Sequence, residues 1–299
     1  MSDVRGIIHV VSNLTAVIKF YTEALEFTWV EMHELSGESF DVLFKLPKCK
    51  AKLAKLRLGD QFSYLIEFDQ KHPHPYIQDS RSNDLWFQHI AIVVSDMKKA
   101  HDKLVAYGIQ PISHSPQTIP DWNKAAAGVK AFYFRSPDGH PLELIYFPPG
   151  KGSPVWQDKK GLFLGIDHTA IAVSNTEESL KFYRDFLGME IVGSSLNYGV
   201  EQEMLSGVTG AKVKITNLQF PGSQGIGIEF LEYANPSGGR KRPLDTQANH
   251  AIENATLIVM DALELFSKKA VSVEGMESFQ KGTILTDPDR HRLFLVSKN

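Results

Sequence analysis

Cysteine is almost missing from this chain of 299 residues: Cys49 stands alone. No intrachain disulfide framework and no thiolate zinc site can therefore form, and a reducing, cytoplasmic home is the expectation. Long apolar runs are missing too. The longest, such as Ile90–Val94, have the length of a strand, far below the roughly 20 residues a membrane-crossing helix needs. The opening Met1-Ser-Asp-Val-Arg5 lacks the charged-then-apolar layout of a signal peptide. Nor is one sign of charge in excess: 32 Lys+Arg against 35 Asp+Glu give a formal −3, with both signs spread along the chain. That leaves no electrostatic footprint for a nucleic acid or an anionic membrane, and neither is expected as a partner. Apolar residues, at 42%, outweigh charged ones at 22%, enough for about two buried cores in a chain of this length.

Four segments begin alike. Gly6-Ile-Ile-His-Val-Val-Ser-Asn13, His89-Ile-Ala-Ile-Val-Val-Ser-Asp96, His168-Thr-Ala-Ile-Ala-Val-Ser-Asn175 and Asn254-Ala-Thr-Leu-Ile-Val-Met-Asp261 are β-branched apolar runs ending at Asp or Asn. Each predicts a buried strand followed by a helix N-cap. Ala16–Leu25 and Glu178–Leu187 share Lys-Phe-Tyr at one distance from their caps, and both carry apolar residues at helical spacing. Met97–Tyr107, closed by Gly108, and Ala262–Ala270 supply the corresponding helices of segments two and four. Period-two runs follow each helix: Asp60–Phe68, Ala131–Phe134, Pro141–Phe147, Lys212–Leu218, Ile226–Tyr233 and Leu293–Val296. Ser136-Pro-Asp-Gly-His140 and Asp287-Pro-Asp-Arg-His291 read as matching hairpin turns.

The repeating unit is therefore βαβββ in an α+β fold, present four times over about 3–75, 82–150, 161–236 and 250–299. Two domains, 1–150 and 155–299, are expected on either side of a Pro/Gly-rich linker at about 148–160.

These repeats resemble the vicinal-oxygen-chelate superfamily of glyoxalases, extradiol dioxygenases, epimerases and bleomycin-resistance proteins. The resemblance is carried by Phe87–Asp96 with Phe132–Glu143, and by Ile166–Asn175 with Phe182-Tyr-Arg-Asp-Phe-Leu-Gly-Met189. It implies tandem modules paired into two cupped, incomplete β-barrels. It further implies a divalent metal held by side chains of the first and last strands, chelating two adjacent oxygens of a small-molecule substrate.

The repeat register then serves as a ruler for ligands. Seven residues before each cap stand Gly6, His89, His168 and Asn254, and the matching positions on the last strands are Tyr64, Glu143, Glu229 and Phe294. Ligand types occur only in modules two and three. If those two modules pair, His89, Glu143, His168 and Glu229 share one site suited to Zn, Ni, Co, Mn or Fe, and modules one and four form a degenerate cup. A buried Glu in Pro-Leu-Glu-Leu-Ile or Gly-Ile-Glu-Phe-Leu is costly unless its charge is compensated, which a metal does directly. His9, His114, His140, His250 and His291 lie off this register or in turns and are expected to be solvated. Glu67 and Glu232 have the opposite phase and should point away from the site. Cys49 is expected to be an incidental thiol.

Modules two and four are 165 residues apart at their caps but 151 apart at their turns, so module two carries about 14 extra residues, placed in His114–Gly128. With Trp122 and Asn123 this stretch is a candidate substrate-contacting lid, and Asn197–Gly210 with Tyr198 a second candidate rim. Three functions fit the ligand pattern. The first is a metal-dependent isomerase, lyase or epimerase working through an enediolate, with Glu143 or Glu229 as general base. The others are an Fe(II) extradiol-type dioxygenase and a small-molecule binding protein of the bleomycin-resistance type. Four modules complete both cups within one chain, so a monomer or a homodimer is expected.

Overall fold

The computed structural model describes residues 1–70, 76–158, 160–261, 271–272 and 279–298. Module one comprises β1 (Asp3–Val10), α1 (Leu14–Glu23), β2 (Thr28–Leu35), α2 (Glu38–Phe44), β3 (Ala51–Leu58) and β4 (Gln61–Phe68). Module two comprises β5 (Gln88–Val94), α3 (Met97–Tyr107), β6 (Gln110–Pro111), β7 (Gln117–Thr118), β8 (Lys130–Arg135) and β9 (Pro141–Tyr146). After the short α4 (Val155–Asp158), module three runs β10 (Phe163–Ala172), α5 (Thr176–Leu180), β11 (Glu190–Tyr198), α6 (Val200–Ser206), β12 (Lys212–Gln219) and β13 (Gly227–Asn235); Lys181–Phe186 extends α5 as a π-helical turn. Module four supplies β14 (Ala255–Met260), β15 (Val271–Ser272), β16 (Phe279–Thr286) and β17 (Arg292–Lys298). Its expected helix, Ala262–Ala270, lies outside the described residues.

The helices start where their caps dictate. Asn13, Asp96 and Asn175 each accept a backbone N–H three residues on, at 3.0–3.1 Å, and Gly108 ends α3 in the left-handed region. Glu67 accepts from Leu14 N and Glu232 from Thr176 N, so both carboxylates serve helix N-termini and point away from the cup, as their phase predicts.

Strand pairing joins module two to module three and module one to module four. The nine-stranded sheet runs β11-β12-β13-β10-β5-β9-β8-β6, with β7 on β8; the eight-stranded sheet runs β15-β16-β17-β14-β1-β4-β3-β2. In every module the first strand lies parallel to the last, and the first strands of partner modules meet antiparallel at the centre. The sheets stay open as two cups. Their outer faces pack with α1, α3 and α5 into one large apolar core that includes Val17, Phe20, Ile92, Phe132, Tyr183 and Phe230. None of the described helices is long and apolar enough to cross a membrane.

The cup of modules one and four is filled. Phe40 and Phe44 of α2 pack with Tyr64, Phe68, Leu257 and Phe294 on the positions that face inward. Here the sequence ruler is one residue out. Ala170, which pairs with His89, corresponds to Ile8 of module one, and Ile8 pairs with Ala255, so Ala255 rather than Asn254 stands at the ligand position. A one-residue slip changes face: Asn254 leaves the cup and accepts from Val10 N instead.

Four histidines expected in solvent are buried. His140 and His291, at the tips of the matching hairpins, donate from Nε2 to carbonyls of the opposite sheet's segments, Ala251 O (3.1 Å) and Ala172 O (2.8 Å). His9 stacks on His140 and meets the Tyr21 hydroxyl, and His250 Nδ1 accepts from Ile252 N. Turn position says where the backbone reverses; it says nothing of a second sheet covering the turn. His114 is exposed. Cys49 is buried, and burial together with its contact to Asp69 pushes its thiol up to about 11, consistent with an inert side chain.

Candidate metal centre

Four neighbouring strands, β13-β10-β5-β9, carry the candidate ligands. In one row Glu229 stands opposite Ala170, and Ala170 opposite His89; in the next, Gly227 faces His168, His168 faces Ala91 and Ala91 faces Glu143. Residues two apart share a face, so all four functional side chains point into one cup, in two staggered rows. Ala91, Ala170 and Gly227 fill the alternate places, and their small size leaves room for the ligands to converge.

Glu143 Oε2 lies 3.0 Å from His89 Nε2 and 3.5 Å from His168 Nε2, and Glu229 Oε1 lies 3.7 Å from His168 Nε2. One donor atom each of His89, Glu143 and His168 falls within 4.8 Å of the others. These three side chains are buried; Glu229 keeps 13% exposure at the edge of the cluster. Neither Nε2 is aligned for a hydrogen bond, and among the described residues both are buried orphans, as is His89 Nδ1. The His168 ring is fixed from behind, Nδ1 donating to Asp167 Oδ2 at 3.0 Å, which leaves Nε2 as the donor atom facing the cluster. Trp156 Nε1 donates to the other Asp167 oxygen at 2.6 Å.

The electrostatics describe a site with too much negative charge. Burial raises the Glu143 carboxyl, but the two imidazoles against it outweigh burial and hold it at about 2. Glu229 is pushed up to about 7 by burial, reduced by His168 and reinforced by the charges of Glu143 and Asp167. Burial alone would depress His168; Glu229, Asp167 and Glu143 overcome it and hold its proton well above the usual range, while burial dominates at His89 and lowers it. Converging ligand-type atoms, orphaned imidazole nitrogens and closely gathered carboxylates fit a divalent cation, which would take the place of the His168 Nε2 proton.

The cluster opens into a cavity of about 670 Å³ lined by both modules. The three side chains expected to contact substrate do not line it. Trp122 and Tyr198 stack on each other at 4.2 Å, both about half exposed, and Asn123 is buried, donating to Asn197 Oδ1 at 2.6 Å. The inserted loop therefore clasps edge strand β11 of module three, and Asn197 rather than Asn123 reaches the cavity wall. Asp167, Trp156 and Gln202 also line the cavity and were not read from the sequence. Alternation assigns Asp167 to the face opposite His168. A register shift between Ile166 and His168 turns both toward one side.

A model of the Glyoxalase/Bleomycin resistance protein/Dioxygenase superfamily matches residues 6–144 and 165–295. The chain belongs to this superfamily. Among its relatives, 2-epi-5-epi-valiolone epimerase of Actinomyces sp is 29% identical over 150 residues, 49% of this chain and 80% of that protein. Glyoxalase I of Saccharomyces cerevisiae is 27% identical over 188 residues, 60% of this chain and 54% of that protein, so the match spans about half of the yeast enzyme. Crystalline glyoxalase I of Zea mays superposes with a TM-score of 0.66 at 17% identity, covering 99% of this chain and 92% of the maize chain, a likeness of fold. Within the superfamily fold, this chain's ligand-type residues gather in one of its two cups.

Proposed function

We propose that this chain is a metal-dependent glyoxalase-like enzyme, an isomerase, lyase or epimerase acting on a small molecule with vicinal oxygens. The observation that carries this reading is the convergence of two imidazoles and two carboxylates from matched positions of modules two and three. The epimerase and glyoxalase relatives support the same class. A divalent ion held by His89, Glu143, His168 and Glu229 would polarise adjacent substrate oxygens, acidify the neighbouring C–H and stabilise an enediolate. Glu143, locked between two imidazoles, serves as a fixed anion. Glu229, whose ion-pair contact among the described residues is with His168 and which stands at the cavity edge, is the general base: its Oε1 takes the C–H proton and returns it. Asp167 keeps His168 Nδ1 protonated and its ring oriented. Both cups are complete within one chain, so this chemistry requires no second copy.

The test is solvent deuterium incorporation at the carbon between carbonyl and hydroxyl in a panel of α-hydroxyketones and the glutathione–methylglyoxal hemithioacetal, followed by proton NMR. Wild-type protein should catalyse exchange in at least one compound, and Glu229→Gln should slow it 100-fold or more. No exchange in any compound, or an unaffected Glu229→Gln variant, would overturn the reading. A second reading, an Fe(II) extradiol-type dioxygenase, is favoured by the tight subset His89, Glu143 and His168, a two-histidine, one-carboxylate set. Oxygen uptake with catechols by the iron-loaded protein would select it.

A further inference from the structure

Resting on that reading of the cup, we propose that its substrate is a small, uncharged, polyhydroxylated carbonyl compound, held by side-chain amides and hydroxyls rather than by an anionic handle. The charges on the cavity wall come first. Among the described residues lining it, the charged side chains are Glu143, Asp167, His168, Glu229 and Lys151. The Lys151 ammonium already donates to the carbonyls of Lys124 and Ala125 at 2.6 and 3.2 Å, and no arginine is present. A phosphate or carboxylate on the substrate would meet three carboxylates, no guanidinium fork, and an ammonium already tied to two backbone carbonyls.

The side-chain amides gather on one flank, beside the apolar Leu205, Val213 and Ile215. Ser195, Asn197, Asn217 and Gln219 sit on β11 and β12, and Gln202 on α6. Asn217 is directly opposite Glu229 across the β12–β13 pair, so its amide neighbours the general base, and Gly193 opposite Asn217 leaves the space beside it open. Gln202 is 5% exposed, and its Oε1 is a buried oxygen with no hydrogen-bond partner among the described residues. A buried amide oxygen left unsatisfied is costly unless a ligand supplies the missing bond.

The filled cup shows what this flank replaces. Counting from Gly37 and Gly199, both with positive φ at their helix starts, Phe40 of α2 and Gln202 of α6 hold the same position, as do Phe44 and Ser206. In register, Tyr64 corresponds to Glu229 and Lys55 to Asn217. Where the filled cup holds the aromatic Phe40, the open cup presents the Gln202 amide to the cavity, and Ser206, in the place of Phe44, bonds back to Gln202 O. The opposite flank, on module two and α4, carries no side-chain amide and is mostly apolar, with Ile119, Val129, Ile145, Phe147 and Trp156. Amides clustered on one flank and a mostly apolar opposite flank suit a hydroxylated ring or short chain whose hydroxyls point one way and C–H bonds the other.

The test is isothermal titration calorimetry of the protein as isolated with three probes: 2-keto-myo-inositol, its phosphate monoester, and S-hexylglutathione. The uncharged ketone should bind at least tenfold tighter than either charged probe. Gln202→Leu and Asn217→Leu should each weaken it about tenfold or more with metal content unchanged, and Gln202→Phe, which rebuilds the plug, should abolish it. Tighter binding of a charged probe, no binding of the ketone, or amide variants that bind like wild type would each overturn the proposal. The parent reading fails separately, by loss of deuterium exchange, whereas this one fails in the titration.

Discussion

Asp167 holds His168 with one oxygen and Trp156 with the other, tying a ligand-type imidazole to the apolar wall of the cavity. Asp167→Asn keeps the shape and removes the charge behind Nδ1. Metal affinity should fall about 10- to 100-fold, read by chelator competition; an unchanged affinity would make the contact merely structural. His291 behaves differently. Burial is the main cause that lowers its imidazole to about 3, with the charge of Arg242 adding to it and the bond to Ala172 opposing it. Its unfolded counterpart titrates near 6.5, so between pH 6.5 and 3 the unfolded chain binds the extra proton and stability falls with falling pH. One such group should cost about 2 kcal/mol at pH 5 relative to pH 7.5. Comparing urea midpoints of wild type and His291→Gln at the two pH values checks this, the variant losing less on acidification.

At the scale of elements, α2 and α6 are the same helix put to two uses. Phe40 and Phe44 of α2 fill the eight-stranded cup against Phe294, which is fully buried. Phe294→Ala should cost about 3–5 kcal/mol in urea unfolding without changing metal content. The clasp of the inserted loop on β11 makes a further test: Asn123→Ala removes a buried hydrogen bond and leaves Asn197 a partner short. It should cost about 1–2 kcal/mol and raise limited-proteolysis rates within 114–128. Elements were the most legible level in the sequence. The caps Asn13, Asp96 and Asn175, the closing Gly108 and the two hairpin turns are local signals of residue type and spacing. The clasp's composition was visible as Trp122, Asn123 and Tyr198, but its role was not. Whether an aromatic meets substrate or another aromatic depends on a strand from a different module.

In the whole molecule, each sheet takes one module from each half of the chain, joined at β5–β10 and β1–β14. Segments 1–150 and 155–299 expressed separately should therefore expose unpaired central strands and fail to hold metal; coexpressed, they should assemble, as size-exclusion chromatography would show. The pairing of modules two and three was legible because ligand types are distributed asymmetrically: His89 and Glu143 in one module, His168 and Glu229 in the next. The one-residue error at Asn254 arose because cap spacing and strand register are set by different contacts. The buried His9, His140 and His291 escaped because burial between sheets leaves no periodic trace.

The central claim is that these four side chains form one shared metal site. Elemental analysis of protein purified without added metal or chelator, set beside a His89→Ala/His168→Ala double variant of wild-type fold, tests it most directly. The account predicts about one divalent transition-metal ion per chain in the wild type and none in the variant. Equal metal in both proteins, or no metal in the wild type under any loading condition, would contradict it.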